Sequence, residues 1–158
     1  MDNDALRPLI ADGLRATKGG ARQAAEAADQ IHEAATNDRL RHALEEGQKT
    51  TAQWRAAIDN VMETLSVEGE DENPVIGAVY EVAQSTREAA ETDRARDLGI
   101  IASGQIALHY WIAAFGTLGA YLKDMGQTSA AETMGQCVDE ARAADETHTE
   151  IAKDILSA

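Results

Sequence analysis

The sequence predicts an all-α protein, a four-helix bundle with one long crossover and a short extra helix. Three observations lead there. About a fifth of the 158 residues are alanine, prolines occur only at Pro8 and Pro74, and no run of β-branched or aromatic residues alternates as a strand would. Four long stretches repeat apolar residues at three- and four-residue steps, the spacing that lines one face of a helix. The connections run short, long, short, which pairs the helices into two hairpins joined by a crossover. A chain of this length makes one domain, residues 1–158, with room for a real core.

The first helix is expected over about residues 4–35, with Leu6, Ile10, Gly13, Thr17, Gly20, Ala24, Ala27 and Ile31 inward. Its middle is unusually small. The second, about 38–66, starts after Asn37-Asp38 as caps and aligns Leu40, Leu44, Gly47, Thr51, Trp54, Ile58, Val61 and Leu65. Glu68-Gly69-Glu70-Asp71-Glu72-Asn73-Pro74 reads as an acidic, Gly/Pro-punctuated loop, and a short helix over about 75–90 completes the crossover. The next long helix, about 94–124, aligns Leu98, Ile101, Gln105, Leu108, Ile112, Phe115, Gly119 and Leu122, with Trp111 flanking that stripe. Gly126 suits a C-terminal cap and Thr128 or Ser129 an N-cap. The last helix, about 128–156, aligns Ala131, Met134, Val138, Ala141, Asp145, His148, Ala152 and Ile155.

The formal charge of -14 argues against a nucleic-acid backbone or an anionic membrane as the main partner, since both need Lys/Arg clusters. Cys137 has no second cysteine to bridge, so no oxidising compartment is implied. The N-terminus Met1-Asp2-Asn3-Asp4 lacks an apolar stretch and no apolar run reads as long enough to span a bilayer, so the expected address is the cytoplasm. No Ser-His-Asp arrangement, Gly-rich phosphate loop or CxxC pair is present.

Residues 102–118, Ala-Ser-Gly-Gln-Ile-Ala-Leu-His-Tyr-Trp-Ile-Ala-Ala-Phe-Gly-Thr-Leu, resemble the helix A-A-Q-K-V-E-H-Y-E-I-A-A/S-Y-G-T-L of the YciF-like branch of the ferritin-like superfamily. Leu14-Arg15 and Arg22-Gln23 match the family's L-R-D-L-Y-D-A-E-K-Q, Ala43-Leu44-Glu45-Glu46 precedes its H-L-E-E-T segment, and Arg142-Ala143-Ala144-Asp145-Glu146 resembles its K-A-T-D-E. Residues 67–92 match poorly. The resemblance implies a ferritin-like bundle, a dimer, a stress-associated role and a di-metal site.

The metal ligands are the part this chain does not repeat. A carboxylate-bridged di-metal site takes a Glu from each of two helices and a Glu-x-x-His pair from the other two. Threaded residue by residue, the family's first-helix Glu falls on Ala21, its second-helix E-E-T-x on Lys49, Thr50, Thr51 and Ala52, and the two glutamates of E-H-Y-E on Leu108 and Trp111. In the last helix one of three consecutive glutamates falls on Ala141, while Asp139, Glu140 and Asp145 stay acidic. Both tryptophans lie near these positions, opposite Gly13, Thr17, Gly20, Ala21 and Ala24, so indole rings are expected to fill the space where ligands would stand. The indole N–H then needs an acceptor, for which Asp145 or a backbone carbonyl is expected.

Asp145 and His148 are three residues apart on one inward stripe, where a carboxylate satisfying a buried imidazole or indole is the structural reading and half a metal site the alternative. His109 reads as a rim or interface residue, His32 and His42 as solvated, Glu45-Glu46 as a solvated face, and Cys137 as a partly buried small hydrophobe. Tyr110 and Tyr121 are placed on or near the outer side of their helix. The favoured function is a non-catalytic bundle without a bound cofactor, acting through its surface or as a homodimer. A second is a di-metal redox protein holding iron or manganese with Glu140, Asp145 and His148. A third is a carrier of a small apolar or aromatic ligand in the former site, marked by Ala21, Thr50, Trp54, Leu108, Trp111, Phe115 and Ala141.

Overall fold

Helix boundaries fall where proline and cap chemistry put them. The computed structural model describes residues 3–158, with side chains from Ala5 onward. A 3₁₀ turn over Asn3–Leu6 leads into α1 (Arg7–Ala34), so the long helix begins three residues later than its apolar pattern suggests. Pro8 stands in the first turn, where its missing N–H costs no hydrogen bond. The other helices are α2 (Asp38–Leu65), α3 (Pro74–Ala89), α4 (Asp93–Asp124) and α5 (Thr128–Ser157). Asn37 caps α2 by accepting from the Leu40 N–H at 3.1 Å, and Thr92 caps α4 by accepting from Ala95 N–H at 3.1 Å. Neither Thr128 nor Ser129 caps α5: both lie inside its first turn, and Gln127 holds the cap position without a side-chain bond. Gly126, at φ +76°, makes the left-handed turn that ends α4, a conformation that favours glycine.

α1 and α2 form one antiparallel hairpin, α4 and α5 the other, and the loop after α2 together with α3 crosses between them. The core divides into two clusters along the bundle. One holds Ile10, Leu14, Trp54, Ile58, Trp111, Phe115, Leu122 and Met134; the other, at the far end, holds Ala35, Leu40, Ile100, Ile101, Ile151 and Ile155. Asp97 locks the hairpins together at that far end. Its carboxylate, 4% exposed, accepts from the Thr36 N–H (2.8 Å), the Thr36 hydroxyl (2.7 Å) and the Asn37 N–H (2.9 Å), so it satisfies the turn between α1 and α2 from α4.

α4 is the helix whose sequence pattern misleads. It touches α1, α3 and α5, and a helix enclosed on three sides is apolar most of the way round. Its buried residues are Asp97, Ile100, Ile101, Ala107, Trp111, Phe115, Leu118 and Leu122; Ile101, Phe115 and Leu122 belong to the expected stripe, whereas its Leu98, Gln105, Leu108 and Ile112 are half-buried. Trp111 is therefore on the inward line and not beside it. The same all-round character corrects the expectation about apolar runs: α4 contains an 18-residue stretch of mean hydropathy 1.4, long and apolar enough to cross a membrane by length and composition alone.

The crossover explains much of the smallness of α1. Arg22 pairs with Glu70 (2.5 Å) and Glu72 (2.6 Å), Arg15 with Asp71 (3.2 Å), and the Asp71 N–H donates to the Arg15 carbonyl (3.2 Å), so the acidic loop lies along the helix. A Cβ at Gly19 would overlap the Asp71 carbonyl oxygen. Asn73, 2% exposed, ends the loop. Its side-chain oxygen caps α3 at Ile76 N–H (3.0 Å), and its amide donates to the Ala16 carbonyl (2.9 Å) and the Tyr110 hydroxyl (2.6 Å). Tyr110 is consequently half-buried and turned toward the crossover, not the outer side, and Tyr121 is likewise half-buried against the core. Asn73→Ala would remove a cap and take a donor from the half-buried Tyr110 hydroxyl and the Ala16 carbonyl. The expected loss is about 2–4 kcal/mol, read as a fall of roughly 5–12 °C in the thermal midpoint; a fall under about 2 °C would show that Asn73 does not pin the crossover.

Candidate functional site

At the level where the threaded ligands would converge, the bundle holds rings. Trp54 of α2 meets Trp111 (centroids 5.7 Å) and Phe115 (5.3 Å, edge-on) of α4, while Trp111 and Phe115 stack at 5.3 Å and Tyr110 meets Trp111 edge-on at 5.2 Å. Each such pair adds about 0.5–1.5 kcal/mol beyond the area it buries. Trp111 reaches α1 at Gly20: a Cβ there would stand 3.0 Å from the far edge of the indole and 3.0 Å from the Asn73 amide. Ala21 and Ala141, 1% and 0% exposed, close the cluster from α1 and α5. Lys49 and Ala52, at two of the second-helix ligand positions, are exposed.

The Trp54 indole N–H donates to Glu140 Oε2 at 2.7 Å. The expected acceptor, Asp145, lies five residues further along α5 and is taken by Gln105 Nε2 at 3.1 Å and His109 Nε2 at 3.3 Å. The expected pairing of Asp145 with His148 does not form either. His148, 7% exposed, donates from Nδ1 to the Ala144 carbonyl at 2.8 Å, with Nε2 beside Gly104. His109 is exposed, His42 is exposed, and His32 is half-buried against Glu45 at 3.0 Å, so it is not the solvated residue its charged neighbourhood suggests.

These residues do not fit an iron or manganese pair. Hard cations of that kind need several converging oxygen and nitrogen ligands. Among the described residues no group of three or more His, Cys, Asp or Glu is placed to hold a metal ion. Of the three weak candidates, Glu140 serves Trp54, Asp145 serves α4, and His148 faces a different part of the interior.

Between the two core clusters the four long helices carry small residues, and there the interior is not filled. A cavity of about 270 Å³ is walled by Ala24, Ala28, Leu44, Gly47, Gly104 and Ala107, and floored by Trp54 and Trp111. Thr50, Leu108, Tyr80, Arg87, Ser103 and His148 also face it, and the exposed Ala25 and Asp29 mark its opening beside α1. Thus Thr50, Trp54, Leu108 and Trp111 of the expected former site line this space, whereas Ala21, Phe115 and Ala141 belong to packed core. Tyr80 and Arg87, on the crossover helix, are the members that sequence reasoning missed. They lie in the segment with least family resemblance, and Arg87, among the polar residues of the second half of α3, gave no signal of facing inward.

Cys137 is 3% exposed, and burial, aided by the charge of Glu140, pushes its thiol up to about 12. The folded chain keeps this proton while the unfolded chain releases it from about pH 9 upward, so stability must fall as pH rises through that window. Burial also pushes the Tyr80 phenol up to about 12 from about 10. Denaturant titrations should therefore show stability declining from pH 9 onward, with Cys137→Ala flattening the decline between pH 9 and 10, before tyrosine contributes. An unchanged slope in that variant would contradict a native thiol held neutral.

Comparison with known proteins places this geometry in a family. The Escherichia coli K12 protein YciF is 28% identical over 152 residues, spanning 94% of this chain and 89% of the relative. The solved structure of the E. coli stress protein YciF matches with a TM-score of 0.92 at 24% identity, over 96% of this chain and 97% of that one. YcfI from Rhodopseudomonas palustris matches with a TM-score of 0.86 at 25% identity, over 89% and 90% of the two chains. The model of the family described as Domain of unknown function (DUF892) covers residues 5–158, and the chain belongs to that family.

Proposed function

We propose that this protein is a non-catalytic ferritin-like bundle in which packed aromatic core stands at the family's di-metal position, and that it works by binding, in a stress-associated setting like that named for E. coli YciF. The observation that carries the reading is the Trp111 ring lodged against Gly20, with the Trp54 N–H bound to Glu140. A metal pair at that level would have to displace indole rings whose removal costs about 3–5 kcal/mol each. In this reading α4 is the bundle's central helix and no redox cofactor is needed.

The carrier reading stands second because a specific observation favours it, the cavity of about 270 Å³ beside the rings. It requires no catalytic group.

Expression in iron- and manganese-replete medium followed by elemental analysis tests the metal-free reading. The expected content is far below stoichiometric. About two metal ions per chain, lost on Asp145→Ala, would overturn it.

A further inference from the structure

Arg87 is out of keeping with the other arginines that face the interior or the crossover. Arg15, Arg22 and Arg55 each have a carboxylate within ion-pair distance. Arg87 is half-buried in the last turn of α3, lines the cavity, and its guanidinium makes no hydrogen bond or ion pair among the described residues. Burial lowers its pKa and the charge of neighbouring Glu88 only partly offsets that, which is the mark of a cation taken from water without a partner.

The polar groups nearest it in the wall include hydroxyls, which can donate to an anion. Tyr80 lines the same space, its hydroxyl has no protein partner among the described residues, and its phenol is protonated at neutral pH. The Ser103 hydroxyl has no side-chain partner either. Gln48, Thr50, Thr51 and His148 also line it and the exposed Asp29 carboxylate stands at its mouth, away from the otherwise apolar wall of alanine, glycine, leucine, isoleucine and indole.

We infer that this cavity binds a small apolar monocarboxylate, its hydrocarbon part against the alanines and the two tryptophans and its carboxylate on Arg87. The inference rests on the carrier reading and adds the ligand class. Size follows from volume: a cavity of roughly 150 Å³ takes benzene, so about 270 Å³ takes about ten or eleven non-hydrogen atoms. Charge follows from locality. The net charge of -14 opposes an anion in general, but exposed charges are screened within about 8 Å at physiological salt, whereas a half-buried guanidinium acts at contact. Aromatic walls suit an ammonium by cation–π attraction, but Arg87 in the same wall repels one.

Four probes of matched size test this on the full chain at neutral pH: 3-phenylpropanoate, octanoate, 3-phenylpropanol and 3-phenylpropylamine. Tryptophan fluorescence and the thermal midpoint are read together, because either tryptophan can report and any ligand of the folded state raises the midpoint. Saturable binding of at least one carboxylate is expected, tenfold or more tighter than the alcohol, and Arg87→Gln should erase that preference while leaving the alcohol unchanged. The aryl and alkyl acids separate an aromatic from an aliphatic ligand. Equal binding of alcohol and carboxylate, or an unchanged preference in Arg87→Gln, overturns the carboxylate assignment and leaves the carrier reading intact. Tighter binding of the amine overturns it too. No response to any probe, in fluorescence or midpoint, overturns both. Ala107→Leu, which narrows the cavity from α4, should weaken all binding; if that variant does not fold, the Arg87→Gln comparison still decides.

Discussion

The contact on which the rest of the interior depends is the one between Trp111 and Gly20. An indole in the middle of a helical bundle needs a facing backbone without a Cβ, and α1 supplies one where the ring edge arrives 3.0 Å from that position. Asn73 and Ile76 crowd the same notch, so the ring also fixes where the crossover enters α3. Once Trp111 is seated, Phe115 stacks behind it and Trp54 closes from α2, with Glu140 accepting the Trp54 N–H at the solvent edge. The cluster then holds α1, α2, α4 and α5 by contact. In a di-metal bundle, ligands from several helices would do that.

Filling one level leaves the next one open. Trp111 stands at one threaded ligand position while Thr50 and Leu108, at two others, line the gap, and the isoleucines of the far cluster begin about three turns away. In between, Ala24, Ala28, Gly47, Gly104 and Ala107 are too small to meet across the bundle. Close-packed interiors seldom keep such a gap without use, since its lining loses dispersion contacts on one side. Gly104 has an additional reason to be small: the His148 imidazole sits 3.3 Å from where its Cβ would be.

The fold was legible from apolar spacing, the short and long connections and one ferritin-like helix, because those features depend on local periodicity. What was not legible involved pairs far apart in sequence. Asp97 looks like one more charge at a helix start, yet it satisfies the turn at Thr36 and Asn37 from another hairpin. Asn73 looks like a loop residue before proline, yet it is among the most buried polar groups. The small residues of α1 were read as room for tryptophan, which holds at Gly20, while Gly19 answers to the crossover loop and Gly13 to Leu118. The acceptor of the Trp54 N–H is Glu140, five residues before the expected Asp145 on α5, a distance that depends on how α2 and α5 are staggered and not on local periodicity. Around α4 the apolar pattern could not name a single inward line, since three helices cover it.

If packed rings hold the bundle at the position of the di-metal site, its stability must be indifferent to metal. The direct measurement is the denaturant midpoint of the chelator-treated protein against the same protein with saturating ferrous or manganous ion. A ligand that binds only the folded state at a hundredfold over its dissociation constant adds about 2.7 kcal/mol. Superimposable curves are the predicted result; a midpoint that climbs with metal concentration would contradict it.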